Sequence, residues 1–218
     1  MNQLSRHVLP KLALLCAVFF WASSFIAMKS AVLALDPGKI IFFRMFIASA
    51  VFLLLYRFWG KISYQKGDWA LLLVMAICEP GIYFFLESQA LRLTTAGSAA
   101  TINALQPPIV ALLAWIMLRE RPQFWTLSGF ALCIVGAVGL SLGSESSDYA
   151  PMPWLGNLLE FGAMVASGVY VILLKRLSDR YSPFFLTALQ SFAGVVLFFP
   201  LLFVGKPFSM NVQASTVM

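Results

Sequence analysis

Histidine is almost missing from this chain: there is one, His7, near the N-terminus. Metal centres and catalytic triads that need an imidazole within a domain are thereby excluded. Charge is scarce too, at 11% of 218 residues, where a soluble domain carries about 25%. Cysteine is sparse and odd in number. Cys16, Cys78 and Cys133 all sit inside apolar runs, which excludes a disulfide framework. No segment between the apolar runs is long enough for a soluble domain. What remains is greasy: 61% of residues are hydrophobic and the mean hydropathy is +0.86. Such a chain belongs in a lipid bilayer.

Seven runs have the roughly 20 mostly apolar residues a membrane helix needs, near 12–34, 40–58, 69–91, 96–118, 124–142, 155–174 and 184–204. They are long and do not alternate, so helices rather than barrel strands are expected. The first run has a basic start but no small-residue cleavage site directly after its core, so it reads as a span and not a signal peptide. The formal net charge of +6 does not indicate nucleic acid, because the basic residues fall mostly between spans. With the N-terminus in the cytoplasm, ten of them lie on the inner side: Arg6, Lys11, Arg57, Lys61, Lys66, Arg119, Arg121, Lys175, Arg176 and Arg180. Three lie outside, at Lys39, Arg92 and Lys206. This bias predicts a multi-pass protein with its N-terminus in the cytoplasm.

The chain also repeats itself. Shifted by 146 residues, Trp21–Lys29 falls on Ser167–Lys175, with lysine on lysine; Asp36-Pro37 meets Ser182-Pro183, and Arg44 meets Gln190. Five spans separate the copies, and an odd number inverts the second in the membrane. Inverted repeats are a building plan of secondary transporters, with the site near the midplane between the halves.

FWASSFIAMK in the first span, DPGKIIFFR leading into the second, SQALRLTTAGSAATINALQPPIVALLAWIMLRERP with the glycine-rich span after it, and YVILLKRLSDRYSPFFLTALQ resemble, in order and spacing, the EamA-type drug/metabolite transporters. Ala90-Leu91, the mid-helix Pro107 and the LRERP turn with Glu120 carry the resemblance in the first repeat. It covers nearly the whole chain, through about residue 204. It implies an all-α membrane protein: seven transmembrane helices here, part of a ten-helix inverted-repeat (5+5) transporter. Residues 1–143 would form the first five-helix repeat, and 154–218 the start of the second, short of it by three helices. It further implies a central cavity and export of amino acids or other small metabolites across the cell's inner (plasma) membrane. An acidic residue at position 79 is not part of the family's pattern, so Glu79 must be judged on physical grounds.

Ionisable residues inside a span are costly and are functional candidates by default. Glu79 falls at the middle of the third span. Glu79, Tyr83 and Glu87 are spaced i, i+4, i+8, which on an unbroken helix lines them along one stripe with the two carboxyls about 12 Å apart. Pro80 removes a backbone donor and clashes with the carbonyl of Ala76, predicting a kink beside Glu79. Glu79 is either a substrate or proton site or a protonated lock to a neighbouring helix. Lys29, Arg44 and Glu87 are expected at one depth, in the outer third, with Arg44 pairing to Glu87; Lys29 either meets a substrate carboxylate or snorkels to the headgroups. Asn103 and Gln106, one turn apart, flank Pro107-Pro108 in a span expected to be kinked or broken, whether for packing or for a cavity. Trp21, Ser23, Ser24, Trp115 and Tyr170 are candidate cavity walls. Gly129, Gly136 and Gly143 in the fifth span suggest close helix packing. Glu160, in the sixth span near Asn157, either joins the cavity or faces the outer interface.

The expected function is transport of a small-molecule metabolite by alternating access, without cofactor or metal, with protons as a candidate coupling ion. A seven-helix receptor or structural membrane subunit is the alternative. An intramembrane enzyme would be limited to Ser/Lys or carboxyl chemistry and is not expected.

Overall fold

A computed structural model describes residues 3–60, 62–119, 122–143 and 145–204. Glu120 of the LRERP turn, and the stretch from 205 onward, lie outside the described residues. Among the described residues there is no β-strand, and seven helical segments are long and apolar enough to cross a membrane. α1 (Gln3–Ala34) and α2 (Pro37–Leu54) form the first two. The third is broken into α3 (Asp68–Ala76), a π-type turn (Ile77–Ile82) and α4 (Tyr83–Leu93). The fourth is broken into α5 (Ala96–Asn103) and α6 (Gln106–Leu118). α7 (Phe124–Leu142), α8 (Pro153–Leu177) and α9 (Pro183–Phe198) complete the set.

Local chemistry explains the boundaries. The second span starts three residues earlier than its hydropathy suggests, because the Asp36 side chain caps the Gly38 N–H and Pro37 fits the first turn. It ends at Leu54, and a short 3-10 turn (Tyr56–Phe58) follows. Thr95 and Ser182 cap α5 and α9 in the same manner. The fourth span breaks just before Pro107-Pro108, where ring nitrogens have no N–H to continue the ladder.

α8 is the hub. It runs beside α4, α5 and α6, and its buried face includes Ala163, Met164, Ile172 and Leu173. α2 lies along α9, and α1 leans on α4 and α5. α7 sits at the edge, with Ala137 its one buried residue. A side-chain methyl built on Gly129, Gly136 or Gly139 would meet nothing within 4 Å. At Gly143 it would meet only carbonyls of its own helix, Gly139 O at 3.5 Å and Leu140 O at 3.9 Å, so the close approach expected at Gly129, Gly136 and Gly143 is absent among the described residues.

Two polar clusters tie the ends of the bundle. At one end, Thr94 and Ser98 hydroxyls both donate to Asn157 Oδ1, at 2.9 and 2.8 Å, and Asn157 Nδ2 donates to Ser141 Oγ at 2.9 Å. At the other end, Arg180 Nη1 pairs with Asp68 Oδ1 at 2.7 Å, and the Tyr181 hydroxyl donates to Asp68 Oδ2 at 2.8 Å. Arg180 also donates to Gln65 Oε1 at 2.7 Å. Nearby, the Ser182 hydroxyl donates to the carbonyl of Trp59.

Gly156 lets α8 approach the turn at Thr94: a Cβ there would lie 2.8 Å from Thr94 Cβ and 2.9 Å from its backbone nitrogen. A backbone atom cannot swing away as a side chain can. Gly156→Val is therefore expected to push the helices apart and strain the Asn157 cluster, costing about 1–3 kcal/mol. Thermal unfolding in detergent measures the loss. Gly97→Ala, at a glycine with open space around it, serves as the control and should not lower the melting temperature.

Candidate functional site

The third span breaks where an acid, a proline and a glycine meet. Pro80 cannot donate to the helix ladder, and Glu79 leaves helical geometry altogether, with φ −146° and ψ 118°. The peptide bond between them is cis. Glu79 is thus an extended residue inside a span, and its backbone groups need partners outside the helix. Gln190 of α9 supplies one, donating from Nε2 to the Glu79 carbonyl at 3.1 Å. The Glu79 carboxyl accepts from Ser167 Oγ at 3.1 Å, and Ser167 Oγ in turn accepts from Gln106 Nε2 at 2.8 Å. Glu79 is therefore wired to α6, α8 and α9.

Around this break lies an open cavity of about 500 Å³. Phe20, Trp21 and Ser24 come from α1, Arg44 from α2, and Glu79, Tyr83 and Phe84 from the broken third span. Gln106 comes from α6, and Ser167 and Tyr170 from α8. Seven of the residues expected from the sequence meet here: Trp21, Ser24, Arg44, Glu79, Tyr83, Gln106 and Tyr170. Arg44 and Trp21 are exposed at the mouth, while Tyr83 and Ser167 are buried in the wall. The Arg44 guanidinium lies 4.3 Å from the centre of the Phe84 ring, a cation–π contact that keeps its N–H groups available.

Five expected residues stand elsewhere. Ser23 does not line the cavity; its hydroxyl donates to the Phe19 carbonyl at 2.8 Å. Arg44 does not form an ion pair with Glu87. Glu87 is buried and accepts from the Tyr83 hydroxyl at 2.7 Å, the i, i+4 neighbour on the same helix. Depth placed the two together, but α2 and α4 turn the side chains to different partners. Lys29 neither snorkels nor enters the cavity. Its Nζ donates to three carbonyls, Leu91 at 2.7 Å, Thr94 at 2.8 Å and Tyr149 at 2.5 Å. It joins α1 to the end of α4 and to the loop before α8. Trp115 lines a separate apolar groove of about 330 Å³ with Phe130 and Phe161. Asn103 does not line the cavity either; its Nδ2 is buried without a hydrogen-bond partner. The stripe of Glu79, Tyr83 and Glu87 is likewise interrupted, since the extended backbone at Glu79 leaves the helical period after which Tyr83 and Glu87 still follow it.

The reading from residue types missed Ser167, Phe20, Phe84 and Gln190. A signal for two of them was present. The 146-residue shift pairs Trp21 with Ser167 and Arg44 with Gln190, and it also pairs Ser24 with Tyr170. All six stand in or directly behind the cavity wall. The shift thus links residues that share the chamber wall or back it.

No group of histidine, cysteine and acidic side chains suited to a metal ion occurs among the described residues. The described residues thus form a bundle of apolar membrane helices around a chamber with one guanidinium, one carboxyl and aromatic walls. The chain belongs to the EamA-like transporter family, whose sequence model matches residues 9–142 and 154–215. It is 27% identical over 181 residues to the uncharacterized transporter YcxC of Bacillus subtilis (strain 168), covering 83% of this chain and 58% of that protein. It is 25% identical over 190 residues to a Streptantibioticus cattleyicolor protein named "Probable terminal-alkyne amino-acid exporter", covering 87% of this chain and 63% of that one. It is 29% identical over 185 residues to the S-adenosylmethionine/S-adenosylhomocysteine transporter of Chlamydia trachomatis serovar L2, covering 82% of this chain and 56% of that protein. The chain spans between 52% and 66% of the length of these and similar curated relatives. No solved structure matches it. The chain is thus a multi-pass membrane protein of this transporter family.

Proposed function

We propose that this chain forms the larger part of an exporter of small zwitterionic metabolites of the amino-acid class. In this reading it works by alternating access in the inner membrane, with its N-terminus in the cytoplasm. One observation carries the substrate class: Arg44 and Glu79 line one chamber of about 500 Å³, each with bonding capacity left over. A guanidinium suits a carboxylate, with which it bonds in a bidentate fork. A carboxylate opposite suits an ammonium. Trp21, Phe20, Tyr83 and Phe84 give an apolar, aromatic wall for the remainder of the molecule. The names of two relatives support the class, since both mention cargo with an amino-acid moiety. The ten-helix inverted plan, with residues 1–143 as one repeat and 154–218 opening the other, fits the way paired positions of the 146-residue shift surround the chamber. The positive-inside bias supports the orientation.

The direct test expresses the protein, in its full natural length, in cells stripped of their own exporters, and challenges them with toxic amino-acid analogues. Resistance and efflux of a labelled analogue are expected. Arg44→Gln should remove that resistance while leaving the protein at normal abundance in the membrane. Carboxyl-methylated analogues, which lack the partner for Arg44, should be poor cargo for the unaltered protein. Equal export of acids and esters would sink the zwitterion reading.

A further inference from the structure

α7 stands off from the rest of the bundle. Ala137 is its one buried residue, and it packs only lightly on α6 and α8. Between these helices runs an apolar groove of about 330 Å³. Leu105, Leu112 and Trp115 border it from the α6 side, Phe130 and Ile134 from α7, and Phe161 from α8. Among the described residues none of its walls is charged or polar. The hydrocarbon region of a bilayer holds no water to fill such a gap, and an empty one forfeits the contacts of every atom that faces it.

The dimensions select the filler. Leu105 lies near the middle of the span Ala96–Leu118, and Trp115 lies three residues from its end. The ten residues between them rise about 15 Å along the helix. That is the depth of one leaflet, half of a hydrocarbon core roughly 30 Å thick. A volume of about 330 Å³ over that length leaves a cross-section of roughly 22 Å². A helix 10 Å across needs roughly 80 Å². The groove therefore suits a single aliphatic chain and not another helix.

Charge tells the two ends of the groove apart. From Trp115 the chain passes through Arg119 to Pro122, which lines the groove again. Arg119 is exposed, in the turn where α6 stops. A guanidinium at that level can take a phosphate in a bidentate fork. In the other direction the groove meets a second one at Leu105, Ile134 and Phe161, which continues toward the far end of α7. The described walls of that second groove include no lysine or arginine.

We propose that the groove between α6 and α7 is a binding site for one anionic phospholipid, with an acyl chain along the groove and the phosphate at Arg119. The site is separate from the Arg44–Glu79 chamber and fills the seam that leaves α7 apart from the bundle. Which leaflet supplies the lipid rests on the orientation proposed above: with the N-terminus in the cytoplasm it is the inner one. The binding itself does not depend on that orientation.

The test uses the full-length protein in detergent, mixed with dioleoyl phosphatidylglycerol or dioleoyl phosphatidylcholine, with retained lipid counted by native mass spectrometry. The tightest-held lipid should be phosphatidylglycerol, favoured about fivefold, the weight of one basic side chain near an anionic lipid surface. Arg119→Gln should erase that preference. Ala131→Trp puts a ring into the groove and should weaken retention tenfold or more, whereas Val196→Trp, at an exposed position of α9, should not. A second arm places the protein in nanodiscs and reads Trp115 emission as the difference between the parent and Trp115→Phe. Phosphatidylglycerol brominated at mid-chain should quench it more than brominated phosphatidylcholine at the same mole fraction. If Ala131→Trp does not fold, this quenching decides. Equal retention of the two lipids, retention that Ala131→Trp leaves unchanged, or Trp115 out of reach of the bromines overturns the proposal. So does a dimer that Ala131→Trp breaks, which would make the groove a contact between copies of the chain.

Discussion

Glu79→Gln is expected to cut transport of amino-acid zwitterions by ten- to a hundredfold and to leave the fold intact. The size follows from one charge-assisted hydrogen bond, worth about 1.5–3 kcal/mol. The fold should survive because the replaced group keeps its structural duties. A glutamine oxygen can accept from Ser167 as the carboxylate does, at 3.1 Å, and the bond from Gln190 goes to the backbone carbonyl of residue 79, which the substitution does not touch. What disappears is the carboxyl group that lines the chamber together with Arg44. The check pairs efflux of a labelled amino acid with efflux of its N-acetylated derivative, which has no ammonium. The zwitterion should lose its advantage in Glu79→Gln, and the melting temperature should stay within measurement error of the parent. An unchanged preference for the zwitterion means that Glu79 does not read the ammonium.

Lys29→Met is expected to act in the opposite manner, through stability. The ammonium satisfies three carbonyls from separate parts of the chain, at Leu91, Thr94 and Tyr149. Each is a hydrogen bond to a charged donor, worth about 1.5–3 kcal/mol when its loss leaves the acceptor unpaired. Even with partial relaxation, a loss of roughly 4 kcal/mol lowers the melting temperature of a chain of this size by about 10 °C or more. Lys29→Arg should rescue little, because three carbonyls converging on one point suit the three N–H bonds of an ammonium and not a planar fork. Thermal unfolding of the purified protein measures both. A lysine that merely reached for headgroups would produce almost no shift on replacement, so a change of a degree or two rejects the clamp.

Much of this architecture is legible from residue order. The spans follow from apolar length, and both helix breaks fall at prolines the sequence displays, Pro80 and Pro107-Pro108. The angle of a side chain about its helix axis is harder. Trp115 lies nine residues beyond Gln106, about two and a half turns, and so on the opposite face of α6; that could have been worked out, and it explains why Gln106 meets Ser167 while Trp115 meets Phe130. Asn103 and Gln106 look like neighbours at i, i+3, yet the break between α5 and α6 separates them. Arg44 and Glu87 turn to different partners, Phe84 and Tyr83, with α2 packed against α9 and α4 against α8. Lys29 could not be resolved from sequence at all, because its partners are backbone carbonyls, which every residue type possesses. Glu160 is the instructive case. Composition marks it as costly, and only packing reveals that it is fully buried, away from the cavity.

The knot of Asp68, Arg180 and Tyr181 has a bearing on how the molecule answers to its medium. It holds one end of the bundle by an ion pair whose arginine is 24% exposed, within reach of dissolved salt, whereas the opposite end is held by an ammonium bound to neutral carbonyls and by amide and hydroxyl groups. Dissolved ions weaken attraction between opposite charges near water, with a screening length of about 8 Å at physiological ionic strength, and do far less to contacts that involve a neutral oxygen. Raising the ionic strength therefore loosens the two ends unequally, so that electrolyte concentration alone tilts the bundle toward opening on the Arg180 side.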